Sequence, residues 1–207
     1  MKKVALGIKR IADVLTAMIF GLILLVPMLM IAICIRVTMG SPIIFRQQRP
    51  GYHREVFTIL KFRTMSERTS LEELSHGNRI TKFGKTLRAS SLDELPQLVN
   101  IFKGEMSFIG PRPTTVENDR YFTESECQRY FMRPGLSGWA QVNGRNKLRW
   151  NERLSLDVWY VQHWSLWLDF MISLKTVMVI FNRKGFDTDE TTVSGRIADE
   201  RGNMPEV

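Results

Sequence analysis

Two adjacent carboxylates, Asp93 and Glu94, stand between Arg88 and Arg112 in the run from Leu87 to Pro113, LRASSLDELPQLVNIFKGEMSFIGPRP. Ser91 followed by Glu94 three residues on has the pattern of a capping box, which predicts a helix starting there with Ser91 as N-cap. Pro96 is tolerated only in a first turn, so this helix cannot begin much earlier. Lys103-Gly104 ends it, with a cation in the last turn and glycine just beyond. On this reading the dyad sits at the positive end of a helix dipole, which lowers a carboxylate's pKa and favours an anionic ligand. Gly110-Pro111-Arg112-Pro113 follows a short apolar strand, and its two prolines restrict the backbone that aims the Arg112 guanidinium. Paired carboxylates with rigid arginines suit a divalent metal and a phosphate group better than a simple hydrolase.

The elements around the dyad can be read in chain order. Val14 to Ile35 is a nearly unbroken apolar run, roughly 33 Å long as a helix. It is too long for a cleaved signal peptide. Lys2, Lys3, Lys9 and Arg10 precede it, and Arg36, Arg46, Arg49, Arg54, Lys61 and Arg63 follow it. Both basic flanks prefer the same side of a membrane, and Pro27 removes a hydrogen bond near the middle. Charge alone leaves a single span and a re-entrant hairpin broken at Pro27 both open. Pro42 to Gln47 and Glu55 to Lys61 predict two strands joined by a turn over Arg49 to Tyr52. Alternation at the end of this hairpin places Lys61 and Arg63 on one face, where both could meet phosphate. Ser66 to Asn78 is charged and aperiodic, as expected of a mobile lid.

Ile80, Phe83 and Leu87 predict a short helix before the dyad. Val116 to Phe122 and Glu124 to Met132 read as two more helices, with Thr123 and Glu126 as a capping box. Leu136 to Val142 reads as a small-residue strand closed by Asn143-Gly144. Trp150, Trp159, Trp164 and Trp167 are four of the five tryptophans, a clustering typical of a membrane–water interface. Trp150, Leu154, Val158 and Val161 predict one helical face. Leu166 to Phe181 is apolar with a polar stripe at Asp169, Ser173 and Thr176, as expected of an amphipathic helix in the interface or packed on the re-entrant one.

The net charge of +8 and the pI near 9.8 call for an anionic partner. The two cysteines, Cys34 and Cys127, and the histidines His53, His76 and His163 are scattered. They suggest neither a disulfide framework nor a Cys/His metal site. No glycine-rich dinucleotide fingerprint or P-loop occurs.

Four segments together resemble the bacterial sugar transferases, the monotopic phosphoglycosyl transferases. They are Lys61-Phe62-Arg63-Thr64-Met65, the Asp93-Glu94 dyad, Gly110-Pro-Arg-Pro113, and Arg133-Pro-Gly-Leu-Ser-Gly-Trp-Ala-Gln-Val-Asn-Gly-Arg-Asn146. The resemblance runs from about Lys9 to Arg183. It implies an enzyme that moves a phosphosugar from a UDP-sugar to a polyprenyl (undecaprenyl) phosphate, the first membrane step of a bacterial glycan or glycoconjugate pathway, with release of UMP. It also implies Asp93 as the nucleophile that forms an aspartyl-phosphosugar, and Glu94 as metal ligand or proton-transfer partner. Mg2+ is then held by Asp93 and Glu94, and Lys61, Arg88, Arg112 and Arg145 bind phosphates and nucleotide. Asp157 is a further substrate-binding candidate.

The expected fold is α+β and mainly helical. A re-entrant anchor spans residues 1–40, and a catalytic domain spans 41–185 with interfacial helices near 150–182. A flexible tail covers 186–207. The expected location is monotopic, among phospholipids on the cytoplasmic face of the inner membrane. No nucleic acid is expected as a partner, and a homo-oligomer is left open. Two other functions fit some of these features: a non-catalytic basic membrane-surface binder, and a transferase that moves only the sugar and releases UDP.

Overall fold

The computed structural model describes residues 2–65, 80–144, 148–181 and 197–202. The expected lid at Ser66 to Asn78, and Arg145, lie outside the described residues. The fold is mostly helical with little sheet, α+β as expected. Helix α1 spans Lys2–Ile23 and α2 spans Leu25–Met39, bent by 62° at Leu24. The bend falls before Pro27, not at it. Pro27 takes a first-turn place in α2, where a missing N–H is harmless, and its ring excludes a continuous helix across Ile23. No single described helix is long and apolar enough to cross a membrane, although the bent pair together is.

Strands β1 (Ile44–Pro50) and β2 (Val56–Phe62) form the expected antiparallel hairpin, with Ile44 opposite Phe62 and Pro50 opposite Val56. The turn lies later than predicted, over a 3-10 segment at Tyr52–Arg54 in which His53 and Arg54 take positive φ. Pro50 ends its strand at the edge of a two-stranded sheet, where a missing N–H is tolerated. Helix α3 (Lys82–Ala89), capped by the Thr81 hydroxyl, leads into the dyad. Helix α4 (Gln97–Lys103) follows it and ends at Gly104 with φ 92°, as its glycine predicted.

Strand β3 (Ser107–Ile109) pairs in parallel with β4 (Gly135–Ser137). Between them lie α5 (Val116–Asp119), shorter than expected, and a 3-10 segment at Glu126–Phe131 in place of the second helix. The Thr123–Glu126 box is present, with Thr123 N donating to Glu126 Oε2 at 2.8 Å. Residues 139–143 form α6 (Trp139–Asn143), not the predicted strand. The small residues here serve a backbone crossing. A Cβ on Gly135 would stand 2.1 Å from Gly110 N, and one on Gly138 would stand 2.1 Å from Gly110 O. Helical geometry then lets Trp139 stack on Trp159, centroids 5.1 Å apart, beneath the Lys175 ammonium.

Helix α7 (Trp150–His163) buries Trp150, Leu154, Asp157 and Tyr160, a face displaced from the predicted one by its inclusion of a carboxylate. Helix α8 (Leu166–Phe181) turns two residues of its polar stripe inward: Asp169 accepts from Lys9 Nζ of α1 at 2.7 Å, and Thr176 meets Ser137 at 2.7 Å, while Ser173 stays exposed. Its outer face exposes Leu166, Trp167, Phe170, Leu174, Val177 and Met178. Helix α1 has the same polarity, burying Lys9, Asp13 and Ala17 while exposing Ile8, Ile11, Leu15 and Leu22. Of Lys9 and Arg10, read from sequence as a basic flank, Lys9 is therefore internal, and half-buried Arg10 donates to the Ile101 and Phe102 carbonyls at the end of α4. The tryptophan cluster divides too, with Trp150 and Trp164 in the core and Trp159 and Trp167 exposed. Residues 197–201, expected within a flexible tail, form the short helix α9 (Ile197–Arg201).

The glycine crossing yields a stability test. Gly138 has extended backbone open to any residue, so Gly138→Ala acts through packing, against the Gly110 carbonyl and the Gln141 side chain, rather than through backbone strain. It should destabilise the protein by about 1–3 kcal/mol, as overpacking does. An unchanged thermal midpoint in detergent would show that the crossing relaxes freely.

Candidate active site

The dyad does not lie in a capping box. Ser91 adopts φ 57° and makes no side-chain cap, and Leu92–Glu94 form a single 3-10 turn between α3 and α4. Helix α4 starts only at Gln97, with Pro96 at its N-cap. The Glu94 side chain cannot reach back to Ser91 because it is engaged elsewhere. Its Oε1 accepts from Lys61 Nζ at 2.7 Å and from Arg112 Nη2 at 3.1 Å. The three residues come from β2, the dyad turn and the Gly110–Pro113 loop, so this carboxylate joins three parts of the chain.

Each part is held from behind. Buried Asn100 accepts from Leu60 N at 3.1 Å and donates to Thr58 O at 2.7 Å, which locks α4 to β2 beside Lys61. Arg88, in the last turn of α3, donates to Thr64 Oγ1 at 2.9 Å. Arg63 does not share Lys61's direction: past the end of β2 it donates to the Ser41 and Met39 carbonyls at the end of α2. Arg129 Nη2 donates to Arg112 O at 2.6 Å and to Asp157 Oδ2 at 2.7 Å, while its Nη1 reaches Thr114 Oγ1 at 3.2 Å. Asp157 is thus fully buried behind the loop, where it acts on Arg112 through Arg129. Burial opposes the Arg129 charge, and Asp157 and Tyr130 together more than offset it.

The structure therefore brings Lys61, Glu94 and Arg112 into direct contact, with Asp93 next to them and Arg88 on the adjoining helix. Asn100 and Arg129 escaped the sequence reading because nothing local marks a polar residue as buried. Among their partners, Thr58 for Asn100 and Asp157 for Arg129 lie 42 and 28 residues away.

Electrostatics divides the dyad. Burial disfavours the Glu94 charge, but Arg112 and Lys61 outweigh it and hold this carboxyl at about 2. Asp93 moves the other way, to about 6. Burial is the main cause, repulsion from Glu94 adds to it, and Lys61, Arg88 and Arg112 oppose. The dipole argument predicted a lowered value for both. It fails for Asp93 because the dyad lies on its own 3-10 turn ahead of α4, and burial outweighs the nearby cations.

The chain belongs to the bacterial sugar transferase family, which it matches over residues 4–183. It is 43% identical over 185 residues to the uncharacterized sugar transferase EpsL of Bacillus subtilis (strain 168), covering 86% of this chain and 89% of that one. It is 38% identical over 181 residues to the UDP-glucose:undecaprenyl-phosphate glucose-1-phosphate transferase of Caulobacter vibrioides, covering 82% of this chain and 68% of that one. An uncharacterized sugar transferase of Haemophilus influenzae shares 41% identity over 165 residues, 70% of this chain but only 35% of that longer protein.

The raised Asp93 pKa has a measurable consequence. Well below pH 3.8 the carboxyl is protonated in both folded and unfolded chains. Between its ordinary 3.8 and about 6 the unfolded chain ionises first, so folding stability falls as pH rises. Above that range the loss is complete. Asp93→Asn should therefore stabilise the metal-free protein in detergent by about 1–3 kcal/mol at pH 8 and by almost nothing at about pH 3. An equal effect at both pH values would mean that ionising Asp93 carries no folding penalty.

Proposed function

We propose that this chain transfers a phosphosugar from a UDP-sugar to a polyprenyl phosphate at a membrane surface, through an aspartyl-phosphosugar intermediate. The observation that carries the reading is the division of the dyad: Glu94 is fixed by two cations, while its buried neighbour Asp93 titrates near neutrality. A nucleophile is best matched to its task when its pKa lies near the working pH.

Asp93 Oδ attacks the phosphorus next to the sugar, the bond from that phosphorus to the bridging oxygen breaks, and UMP leaves with the electron pair. A phosphate oxygen of the polyprenyl phosphate then attacks the same phosphorus, and Asp93 departs as carboxylate. The product is a polyprenyl diphosphosugar. Arg112 and Lys61 lie where they can exchange part of their hold on Glu94 for diphosphate oxygens, and Arg88 flanks them.

Asp93 and Glu94 would hold a magnesium ion, which when bound offsets the repulsion between carboxylate and diphosphate. Among the described residues no cluster of three His, Cys, Asp or Glu could hold a metal. Two carboxylates, completed by substrate oxygens and water, suit magnesium better than a zinc or calcium cage. The acceptor's lipid chain calls for a membrane. The bent α1–α2 pair and the outward apolar faces of α1, α2 and α8 support a re-entrant, monotopic anchor, and the exposed basic residues Lys3 and Arg36 at its two ends favour the cytoplasmic face.

The chemistry is tested by mixing stoichiometric enzyme with UDP-sugars, including UDP-glucose, and magnesium, without lipid acceptor. A burst of UMP up to about one per site is expected of covalent catalysis. Removing magnesium should suppress it, and Asp93→Asn should abolish it. Release of UDP would indicate sugar-only transfer, and no nucleotide product at all would leave a binding protein. Rapid turnover by folded Asp93→Asn protein would eliminate the covalent step.

Topology is tested separately with single cysteines at exposed positions 3 and 55, in a background lacking Cys34 and Cys127. Both should be labelled only from the cytoplasm. Labelling of position 3 from the opposite side would establish a spanning helix. Replacing Pro27 by Leu should straighten the bend and shift molecules toward that form.

A further inference from the structure

Helix α9 lies beyond residues 4–183, the part of the chain that matches the family. It packs on the main body through one apolar contact and two sets of polar ones. Ile197, 1% exposed, is buried against Trp150 and Leu154 of α7, with Tyr121 and Phe122 alongside. Glu200 Oε2 accepts from Trp150 N at 3.0 Å, satisfying a backbone donor at the start of α7 that has no partner within the helix. Arg201 forks onto Glu126, with Nη2 to Oε1 at 2.5 Å and Nη1 to Oε2 at 2.9 Å. Its Nη2 also donates to Asn151 Oδ1 at 2.7 Å and its Nη1 to Tyr121 O at 2.5 Å.

Apart from Tyr121 and Phe122 in the turn after α5, these contacts fall on two elements: the first turns of α7 and the start of the 3-10 segment Glu126–Phe131. The same two elements supply Asp157 and Arg129. From there the connection is direct, because Arg129 holds the Arg112 carbonyl and Arg112 bonds Glu94.

We infer that α9 is a positioning clasp for the diphosphate end of the nucleotide-sugar site: it staples α7 to the 126–131 segment, and through Arg129–Asp157 it sets Arg112 against the dyad. The inference rests on the phosphosugar-transfer reading above. Ile197, Glu200 and Arg201 touch no reacting atom; they act through Arg129. Binding of the UDP-sugar should therefore depend on the clasp more than the chemical step does.

The test uses the full chain with Arg201→Ala, Ile197→Asp and the conservative Arg201→Lys. Arg201→Ala and Ile197→Asp should each raise KM for the UDP-sugar by about five- to tenfold while kcat changes less than about twofold, the signature of lost substrate positioning. Arg201→Lys should recover part of the loss. Combined with Arg112→Lys, Arg201→Ala should add little, because both act on one contact. Unchanged KM in Arg201→Ala and Ile197→Asp, or effects that multiply with Arg112→Lys, would overturn the clasp.

A second readout needs no turnover. Amide hydrogen exchange over residues 112–116 should accelerate in Arg201→Ala, while exchange in β2 and α4 stays at the wild-type rate. Equal exchange over 112–116 would overturn the clasp, as would faster exchange everywhere. A wild-type protein that releases no UMP would count against the transfer reading and leave the exchange result to decide the clasp.

Discussion

The Glu94 carboxylate is the junction on which the site's geometry depends. One oxygen accepts Lys61 from the hairpin and Arg112 from the Gly110–Pro113 loop, and the turn that carries it places Asp93 alongside. A carboxylate this close to two cations stays ionised against the penalty of burial. Its fixed negative charge, together with burial, holds Asp93 reluctant to ionise. The two acids thus acquire different properties from one environment, and neither property is intrinsic to its residue type.

Behind this junction lies a second constraint, the inverted polarity of the helices. Lys9 and Asp13 face inward from an apolar helix, and each meets a specific need of the short strand β3. Asp13 accepts from Phe108 N at 3.2 Å, and Lys9 donates to Ile109 O at 2.9 Å. A three-residue strand paired on one edge leaves polar groups on the other, and here α1 side chains satisfy them. Asp169 completes the arrangement by accepting from Lys9, Tyr160 and Trp164. Burial beside Asp169 raises the Tyr160 phenol well above its ordinary value and keeps it a donor. The strand so anchored runs straight into Gly110 and Arg112, so the apolar helix pair and the candidate site share one polar scaffold.

Much of this was legible where the signal is local. The glycine after Lys103 and the Thr123–Glu126 spacing reported their own neighbourhood correctly, while the proline in the long hydrophobic run announced a bend that falls at Leu24, and apolar period found α7 but not its exact buried face. The dyad and its arginines stood out for the same reason, as unusual residue types in a short span. Local rules failed where a distant partner claimed the side chain. Glu94 reads as a capping residue until Lys61 and Arg112 engage it. Lys9 reads as a headgroup-facing cation until Asp169, 160 residues on, pairs with it. Residues 136–142 read as a strand because small residues permit one, yet their smallness serves the approach of Gly110, Gly135 and Gly138. Asp157 reads as a substrate-binding candidate, and only the buried Arg129 shows that it stands behind the loop, reaching Arg112 through that guanidinium.

The division of the dyad also bears on why both carboxylates are needed. A single buried acid among Lys61, Arg88 and Arg112 would be drawn to low pKa by those cations and would make a weak base and a weak nucleophile. Glu94 occupies Lys61 and Arg112 and partly neutralises their field at Asp93. The remaining effects, burial and like-charge repulsion, then move Asp93 toward neutrality. An arriving diphosphate would compete with Glu94 for the same two cations. As it drew them away, it would be the anion they stabilise, and Asp93 would be left beside it as the more basic of the two acids. On this account Glu94 keeps the cationic groups in place and charge-balanced until substrate arrives, a task that needs a carboxylate at that position whether or not it takes part in bond making.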